Sequence, residues 1–156
     1  MELLREVIQV YIERKEWFWE LILQHITISA IAILLAGVIG LLIGMWIAEH
    51  DWISPVILGI ANVFYTIPSI SLLGMLIPFI GIGDKTAVVA LTIYGIMPMV
   101  RNTYAGIKGV DEDIITAARG MGSTDFQIMT KIKLPLALGV ITVSYTHLTL
   151  PTILRV

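Results

Sequence analysis

A spaced set of small and rigid residues lies in the most polar part of the chain. Two alanines, Ala117 and Ala118, are followed at fixed intervals by Gly122 and Pro135. Alanine permits close approach of another surface, glycine can adopt a positive φ, and proline bends or ends a helix. None of these side chains performs acid, base or nucleophilic chemistry. The set therefore predicts a docking segment that works through its shape.

The residues that usually support catalysis or metal binding are scarce. The chain has no cysteine, and its three histidines, His25, His50 and His147, are far apart in the sequence. This excludes a disulfide framework and a cysteine nucleophile, and it disfavours a zinc site. The turn 81–85 is a poor phosphate loop, because Asp84 stands where a glycine is required. A net charge of −2 gives no support for a nucleic-acid partner.

The segment around the spaced set is expected to form two short helices. Asp111 can cap the first helix, which Gly120 or Gly122 can end. Thr124 and Gln127 have the spacing of a capping box for the second helix, which should stop near Pro135. An apolar stripe along the second helix either enters a cleft in a partner or packs on the chain's own helices; its members are Phe126, Ile128, Met129 and Ile132.

A second candidate site is a polar cluster inside an apolar stretch. Residues 53–83 carry no formal charge over 31 positions, or ~46 Å of helix, which is too long for one straight span. Pro68 and Pro78 are the expected break points. Broken helices at membrane depth are tolerated where they line a cavity, so four residues are predicted to line a translocation pathway: Tyr65, Thr66, Pro68 and Ser69. A kink that only improves packing is an equally supported alternative.

These two sites must be positioned by helices that cross a membrane. Hydrophobic residues make up 57% of the 156 positions, and the 23 residues of 26–48 carry no formal charge. As a helix this stretch reaches ~35 Å, enough for a ~30 Å hydrocarbon core. Gly40 and Gly44 form a GxxxG step that would let another helix approach closely. Tryptophans at both ends predict interfacial belts, namely Trp17, Trp19, Trp46 and Trp52.

The next uncharged window, residues 86–100, is only 15 residues long. A helix that crosses the bilayer here must therefore include residues on either side of this window, and Pro98 is expected to bend its end. The charged residues 101–135 are assigned to a soluble loop. This loop holds five basic residues, against four at the N-terminus and Lys85 together, so the positive-inside rule places the loop in the cytoplasm by a narrow margin.

The last 14 residues, 143–156, differ in character from the apolar stretch before them. Residues 143–152 resemble the translation, in one reading frame, of the transposon-end adaptor used in sequencing libraries. We therefore assign residues 142–156 to a non-native tail and expect the chain to be a fragment cut in its fourth span. A genuine tail of high β-propensity is the alternative.

The spaced residues resemble the signature of bacterial ATP-binding-cassette (ABC) importer permeases. That signature is Glu-Ala-Ala, three residues, Gly, nine residues, Ile, one residue, Leu-Pro. Thr116 stands where the family usually has glutamate, so any role of that carboxylate does not carry over to this chain. The other six of the seven fixed positions are present at the right spacing: Ala117, Ala118, Gly122, Ile132, Leu134 and Pro135.

Residues 65–69, 98–104 and 117–122 narrow the resemblance to the permeases of the osmoprotectant uptake group, which import glycine betaine, choline, carnitine and related compounds. The resemblance covers residues 20–141. It implies two permease copies around a channel, cytosolic ABC ATPase subunits that bind ATP, and an extracytoplasmic substrate-binding protein. For this chain it implies no catalytic residue and no cofactor. A permease for another small solute such as an amino acid, and a small self-contained channel or scaffold protein, are the alternatives.

Together these features predict an all-α, polytopic protein of the bacterial plasma membrane with about three complete spans and a truncated fourth. Residues 1–22 are assigned to an amphipathic interfacial segment. Residues 23–141 are assigned to the transmembrane core, which includes the cytoplasmic loop 101–135. A permease without a nucleotide site must receive the energy of ATP mechanically, through a stiff projection. Arg101 is expected to contact this loop or a partner, or else to snorkel to the cytoplasmic interface.

Overall fold

The computed structural model describes the backbone of residues 9–149 and the side chains of residues 9–142. Within these ranges the chain is helical almost throughout and has no β-strand. The predicted all-α class is therefore confirmed. The assignments for residues 1–8 and 150–156, at the two ends of the chain, lie outside the described residues.

The first helix, α1, covers Lys15–Ala48, and its 34 residues extend over ~51 Å. It is the one described helix that is long and apolar enough to cross a membrane by itself. Residues 15–22, assigned to a separate interfacial segment, are the first turns of this helix. The four tryptophans near its two ends are 47% to 77% exposed, as expected for interfacial belts.

The second crossing is broken into two helices. Helix α2 covers Ser54–Thr66 and helix α3 covers Ser69–Ile80, and they meet at 94°. Together they are long and apolar enough for one span. The break falls at Pro68 as predicted, with Ile67 in an extended conformation, because a proline disfavours the helical conformation in the residue before it. Pro78, the other predicted break point, lies inside α3 and does not interrupt it.

Helix α4 covers Asp84–Lys108, 25 residues or ~37 Å. The helix thus extends beyond the window 86–100 at both ends, as predicted. The helix continues through Pro98, so residues 101–108 belong to it and the loop begins only at residue 109. The loop boundary placed at Arg101 was wrong, because a proline or a single charged residue is tolerated in a membrane helix whose neighbours satisfy it.

Helix α4 packs along α1 through glycines. A Cβ atom added to Gly44 would lie 2.5 Å from the Cβ of Thr103, and one added to Gly95 would lie 2.7 Å from the Cβ of Ala36. Real Cβ atoms do not approach that closely, so the two backbones are nearer than any side chain at these positions would allow. The predicted role of the GxxxG step in close helix packing is confirmed, and we call this contact the α1–α4 seam.

Polar contacts show which helix ends lie together. Gln24, near the start of α1, donates to both carboxylate oxygens of Asp84 at the start of α4, at 2.7 and 2.8 Å. Beyond the other end of α1, Asp51 forms an ion pair with Lys108 at the end of α4. Helices α1 and α4 are therefore parallel, and the chain returns from the end of α1 to the start of α4 through α2 and α3. The chain therefore runs along the bundle three times before the loop. Helix α1, and α2 and α3 taken together, are long and apolar enough for a span, and the crossing by α4 stays a prediction.

The loop contains two short helices and leads into a fourth long one. Helix α5 covers Glu112–Gly120, helix α6 covers Asp125–Ile128, and helix α7 covers Leu134–Thr149, with a π-helical turn at Met129–Lys133 before it. The start of α7 packs against α1 and α4 in an apolar cluster formed by Ala48, Met99, Ile107, Ala137 and Ile141. The loop therefore projects from one end of a packed helical core.

Candidate functional site

The projection, residues 109–133, is capped at its helix starts by the residues that the sequence predicts. The side chain of Asp111 accepts a hydrogen bond from the backbone N–H of Asp113 at 2.9 Å. Thr124 and Gln127 form a reciprocal capping box, with side-chain to backbone distances of 3.3 and 2.9 Å. Each cap satisfies backbone donors that a helix start leaves unpaired, which favours both short helices locally.

Gly122 ends α5 in a Schellman motif. The backbone N–H of Ser123 donates to the carbonyl of Ala118, and that of Gly122 donates to the carbonyl of Arg119. These two bonds, together with a φ of 84° at Gly122, define the motif. The positive φ expected from the spacing is therefore present, and a side chain at this position would be strained.

The second short helix does not stop near Pro135. The chain passes from α6 through the π-helical turn into α7, and Pro135 lies in the first turn of α7. A proline is tolerated there, and the π turn shifts the hydrogen-bond pattern just before it. The prediction that Pro135 ends the projection was wrong in this respect. A continuous helical path instead joins the projection to the fourth span.

The predicted apolar stripe is divided between two surfaces. Ile128 is buried against Ile115 and Ala118, and Ile132 packs on the same cluster. Met129 packs on the apolar core at the base of the projection. Only Phe126 points away, with 76% of its surface exposed. The stripe therefore mainly holds the two short helices together and fixes them to the core.

The signature residues are likewise divided between the inside and the outside of the projection. Ala118 is 1% exposed and fills the contact between α5 and α6, so the expectation that it meets a partner was wrong. Ala117 and Thr116 are exposed, while Leu134 packs against the apolar core and Pro135 is exposed.

Three apolar side chains remain on the outside of the projection, namely Ile114, Met121 and Phe126. Met121 is 81% exposed. We call these three residues the outer apolar face. Their spacing is irregular in the sequence, because they come from α5, the turn after it and α6, so periodicity did not identify Ile114 or Met121.

Ion pairs connect both ends of the projection to the segment between α1 and α2. The ammonium group of Lys133 lies 2.6 Å from a carboxylate oxygen of Glu49, and the Lys133 side chain is only 13% exposed. Lys108, just before the projection, pairs with Asp51. Sequence reasoning missed both pairs, since Glu49 and Lys133 are 84 positions apart. The only available signal was that opposite charges flank adjacent spans.

The four residues of the predicted pathway lie together at the bend between α2 and α3. Thr66 donates its hydroxyl to the carbonyl of Val63 at 2.6 Å, which caps the end of α2. Tyr65 is 62% exposed, and Thr66, Pro68 and Ser69 are also exposed. The bend is thus not filled by side chains of the described part of the chain.

Two further contacts join α2 to α4 beside this bend. Nη2 of Arg101 donates to Oδ1 of Asn62 at 2.6 Å. The rings of Tyr65 and Tyr94 lie 6.4 Å apart between centroids, with an interplanar angle of 52°. Arg101 therefore contacts the broken span in place of the loop. The other two alternatives, contact with a partner and snorkelling to the interface, stay predictions. The sequence placed Asn62 near the break but gave no indication of its partner.

The described residues include no group of three or more side chains that could hold a metal ion. The features that the structure brings together are instead a capped projection, an outer apolar face, ion-paired attachments and a polar bend. These features suit contact with another protein at the projection and weak binding of a polar molecule at the bend.

The chain matches a family model described as binding-protein-dependent transport system inner membrane component over residues 38–147. This range includes the bend and the whole projection. It ends five residues inside 143–156, the segment with the adaptor-like sequence.

Individual relatives are similar over most of the chain. A carnitine transport permease protein of Listeria monocytogenes is 35% identical over 118 residues, which cover 76% of this chain and 54% of that protein. A choline transport system permease protein of Bacillus subtilis is 37% identical with the same coverage. An osmoprotectant import permease protein of Salmonella typhimurium is 35% identical over 141 residues, covering 87% of this chain and 66% of that protein. The chain thus spans between about half and two thirds of the length of these relatives.

Proposed function

Because the chain belongs to the family of binding-protein-dependent transport system inner membrane components, we propose that the complete protein is the permease subunit of an ATP-driven importer of a small osmoprotectant. The chain is accordingly a multi-pass protein of the bacterial inner membrane. The observation that carries the proposal is that the six signature positions lie in or directly beside one capped projection, at the end of three membrane crossings.

The projection is the part proposed to receive the energy of ATP hydrolysis. Its outer apolar face offers a partner the exposed side chains of Ile114, Met121 and Phe126. Apolar side chains at the centre of an interface supply much of its binding free energy. ATP is bound and hydrolysed by a separate cytosolic ATPase subunit, which docks on this face, so the projection lies in the cytoplasm.

Movement of the docked projection reaches the spans by two routes. One is the continuous helical path through the π turn into α7. The other is the pair of attachments Glu49–Lys133 and Asp51–Lys108, which connects the projection to the segment between α1 and α2. A tilt of the projection therefore displaces the start of the broken span as well as the fourth span.

The substrate crosses beside the bend at Pro68, between this chain and a second permease copy. The exposed polar residues there support this route, since non-helical backbone at membrane depth is tolerated where it lines a cavity. A binding protein on the opposite side of the membrane from the projection delivers the substrate to the route.

A compound with a quaternary ammonium group is the proposed substrate. The relatives are named for carnitine, choline and osmoprotectant import, and these names favour that class over an amino acid. If the protein were a self-contained channel, the signature spacing and the capped helices of the projection would have no partner to contact.

Reconstitution of the complete permease with its ATPase and binding protein in proteoliposomes tests the proposal. We expect ATP-dependent uptake of glycine betaine, carnitine or choline that requires all three components. Uptake without the ATPase would identify a channel. ATP-driven uptake of an amino acid alone would identify the other importer class and overturn the substrate assignment.

The route itself is tested by a size series at Ser69. Ser69→Leu should reduce uptake by about ten-fold, equivalent to about 1.4 kcal/mol, because a bulky apolar side chain narrows the open route beside the bend. Ser69→Ala should leave uptake unchanged. Both variants should purify with the ATPase. Unchanged uptake in an assembled Ser69→Leu transporter would show that the bend only improves helix packing.

A further inference from the structure

Arg101 lies in the last third of α4, the helix that leads into the projection. It precedes Lys108 by seven residues, which places it ~10 Å along the helix axis from the end that pairs with Asp51. A charged side chain near the end of a membrane helix faces the interface, a cavity or a polar partner. Its position therefore calls for a function beyond packing.

The positive charge of Arg101 has a neutral partner in the structure. Its guanidinium group donates to the amide oxygen of Asn62, whereas the ion pairs among the described residues involve other basic side chains. A guanidinium group has five N–H donors in a planar fork that fits a carboxylate. Arg101 is also exposed on the described part of the chain, so this fork remains accessible to an anion.

An aromatic pair lies next to Arg101 and Asn62 on the same two helices. Tyr65 follows Asn62 by one helical turn, and Tyr94 precedes Arg101 by two turns, so both contacts lie on the faces where α2 meets α4. Among the described residues, the Tyr94 hydroxyl is buried with no hydrogen-bond partner. Tyr65 is largely exposed, and its ring can contact a cation through its face.

We propose that Arg101 and Asn62, with Tyr65 one turn away, form a transient binding site for a zwitterion on the translocation route. The carboxylate of the substrate binds the Arg101 guanidinium, and its quaternary ammonium group contacts the ring of Tyr65. The inference rests on the proposed function and adds the residues that would distinguish a carboxylate-bearing substrate from choline. The site lies between the bend at Pro68 and the projection, so the substrate meets it after passing the bend.

Uptake by the reconstituted transporter, with its ATPase and binding protein, tests this site. Arg101→Gln removes the charge and keeps a hydrogen-bonding side chain beside Asn62, while Arg101→Lys keeps the charge. The substrates are glycine betaine, which has a carboxylate, and choline, which has the same trimethylammonium group without one. We expect Arg101→Gln to reduce glycine betaine uptake by about ten-fold, since a charged hydrogen bond is lost, and to change choline uptake by less than about two-fold. Arg101→Lys should recover most of the glycine betaine uptake.

Tyr65 gives an independent second measurement. Tyr65→Leu should reduce uptake of both compounds, whereas Tyr65→Phe, which keeps the aromatic face, should reduce neither. Equal loss of both substrates in Arg101→Gln, or loss of neither, would overturn the role of Arg101 in carboxylate binding. A wild-type transporter that imports choline but no carboxylate-bearing compound would also overturn it. If the wild-type transporter imports glycine betaine alone, loss of that uptake in Arg101→Lys as well as Arg101→Gln would contradict the proposal. A wild type that imports no quaternary ammonium compound would instead contradict the proposed function.

Discussion

The α1–α4 seam and the bend between α2 and α3 are both membrane-depth regions of the same bundle, yet they are built in opposite ways. At the seam, glycines bring two helices together so closely that Gly44 has no room for a methyl group. At the bend, two helices meet at 94° and the side chains beside Pro68 are exposed. The seam is closed by backbone contact, and the bend is open and polar.

This difference indicates that the seam serves as a rigid support and the bend as the part that can change shape. Close packing of small residues gives many van der Waals contacts and two parallel helices that move as one body. The projection is joined to that body twice, because it follows directly after Lys108 of α4 and because its Lys133 pairs with Glu49, the C-cap of α1. The Asp51–Lys108 pair connects α4 to the segment that precedes the broken span. Because α1 and α4 are packed rigidly while the bend is open, movement of the projection can displace the broken span α2–α3 relative to α1 and α4.

The largest effect is expected at the seam. Gly44→Ala places a Cβ atom 2.5 Å from that of Thr103, and the resulting overpacking should destabilise the protein by about 2–3 kcal/mol. Gly59→Ala in α2 is the matched control, because nothing lies within 4 Å of an added Cβ there. Thermal unfolding of the two purified variants in detergent measures the difference. Equal stability of the two would mean that the seam is not a rigid contact.

A smaller effect is expected within the projection. Gly122→Ala forces a side chain into a positive φ, which costs about 1–2 kcal/mol of backbone strain. Gly120→Ala, two residues earlier and at the end of α5, adds a Cβ into open space at a helical position and should be neutral. Co-purification with the ATPase and uptake should fall in the Gly122 variant only. Matched behaviour of the two variants would argue against a role for the Schellman motif in docking.

The smallest effect is expected at the attachments. Lys133→Ala removes the ion pair with Glu49, and a partly exposed pair of this kind contributes about 1 kcal/mol or less. Lys131→Ala is the control, since Lys131 is an exposed residue of the same π turn. We expect Lys133→Ala to lower uptake by about five-fold or less while ATPase binding is retained. If Lys131→Ala has the same effect, the attachment does not transmit movement. Lys108→Ala would be a poor control, because Lys108 pairs with Asp51.

Local features of the fold followed from the sequence. The caps at Asp111 and Thr124, the positive φ at Gly122 and the break at Pro68 each depend on a few neighbouring residues, whose preferences are strong. These signals are read within one or two helical turns. The number of crossings was predicted differently, from uncharged windows of 15 to 31 residues.

Features that depend on tertiary contacts did not follow from the sequence. The burial of Ala118 and the partner of Arg101 are decided by residues on other helices. Pro135 was predicted to end a helix, but a π turn before it allows the chain to continue into the fourth span. Likewise, the helix that contains Pro98 continues to Lys108, beyond the boundary expected from the charges. Local spacing cannot distinguish a side chain that meets a partner from one that packs inside the chain.

Labelling of a single cysteine at the outer apolar face tests the central claim, which is that the projection docks on a cytosolic ATPase. Met121→Cys in the complete subunit, with any other cysteines replaced, should react with an impermeant thiol reagent in inside-out vesicles and not in intact cells. Added ATPase subunit should protect it. Lys85→Cys, at the opposite end of the bundle, should react in intact cells and be unaffected by the ATPase. Labelling of Met121→Cys from outside the cell, or labelling in vesicles that the ATPase does not reduce, would contradict the account.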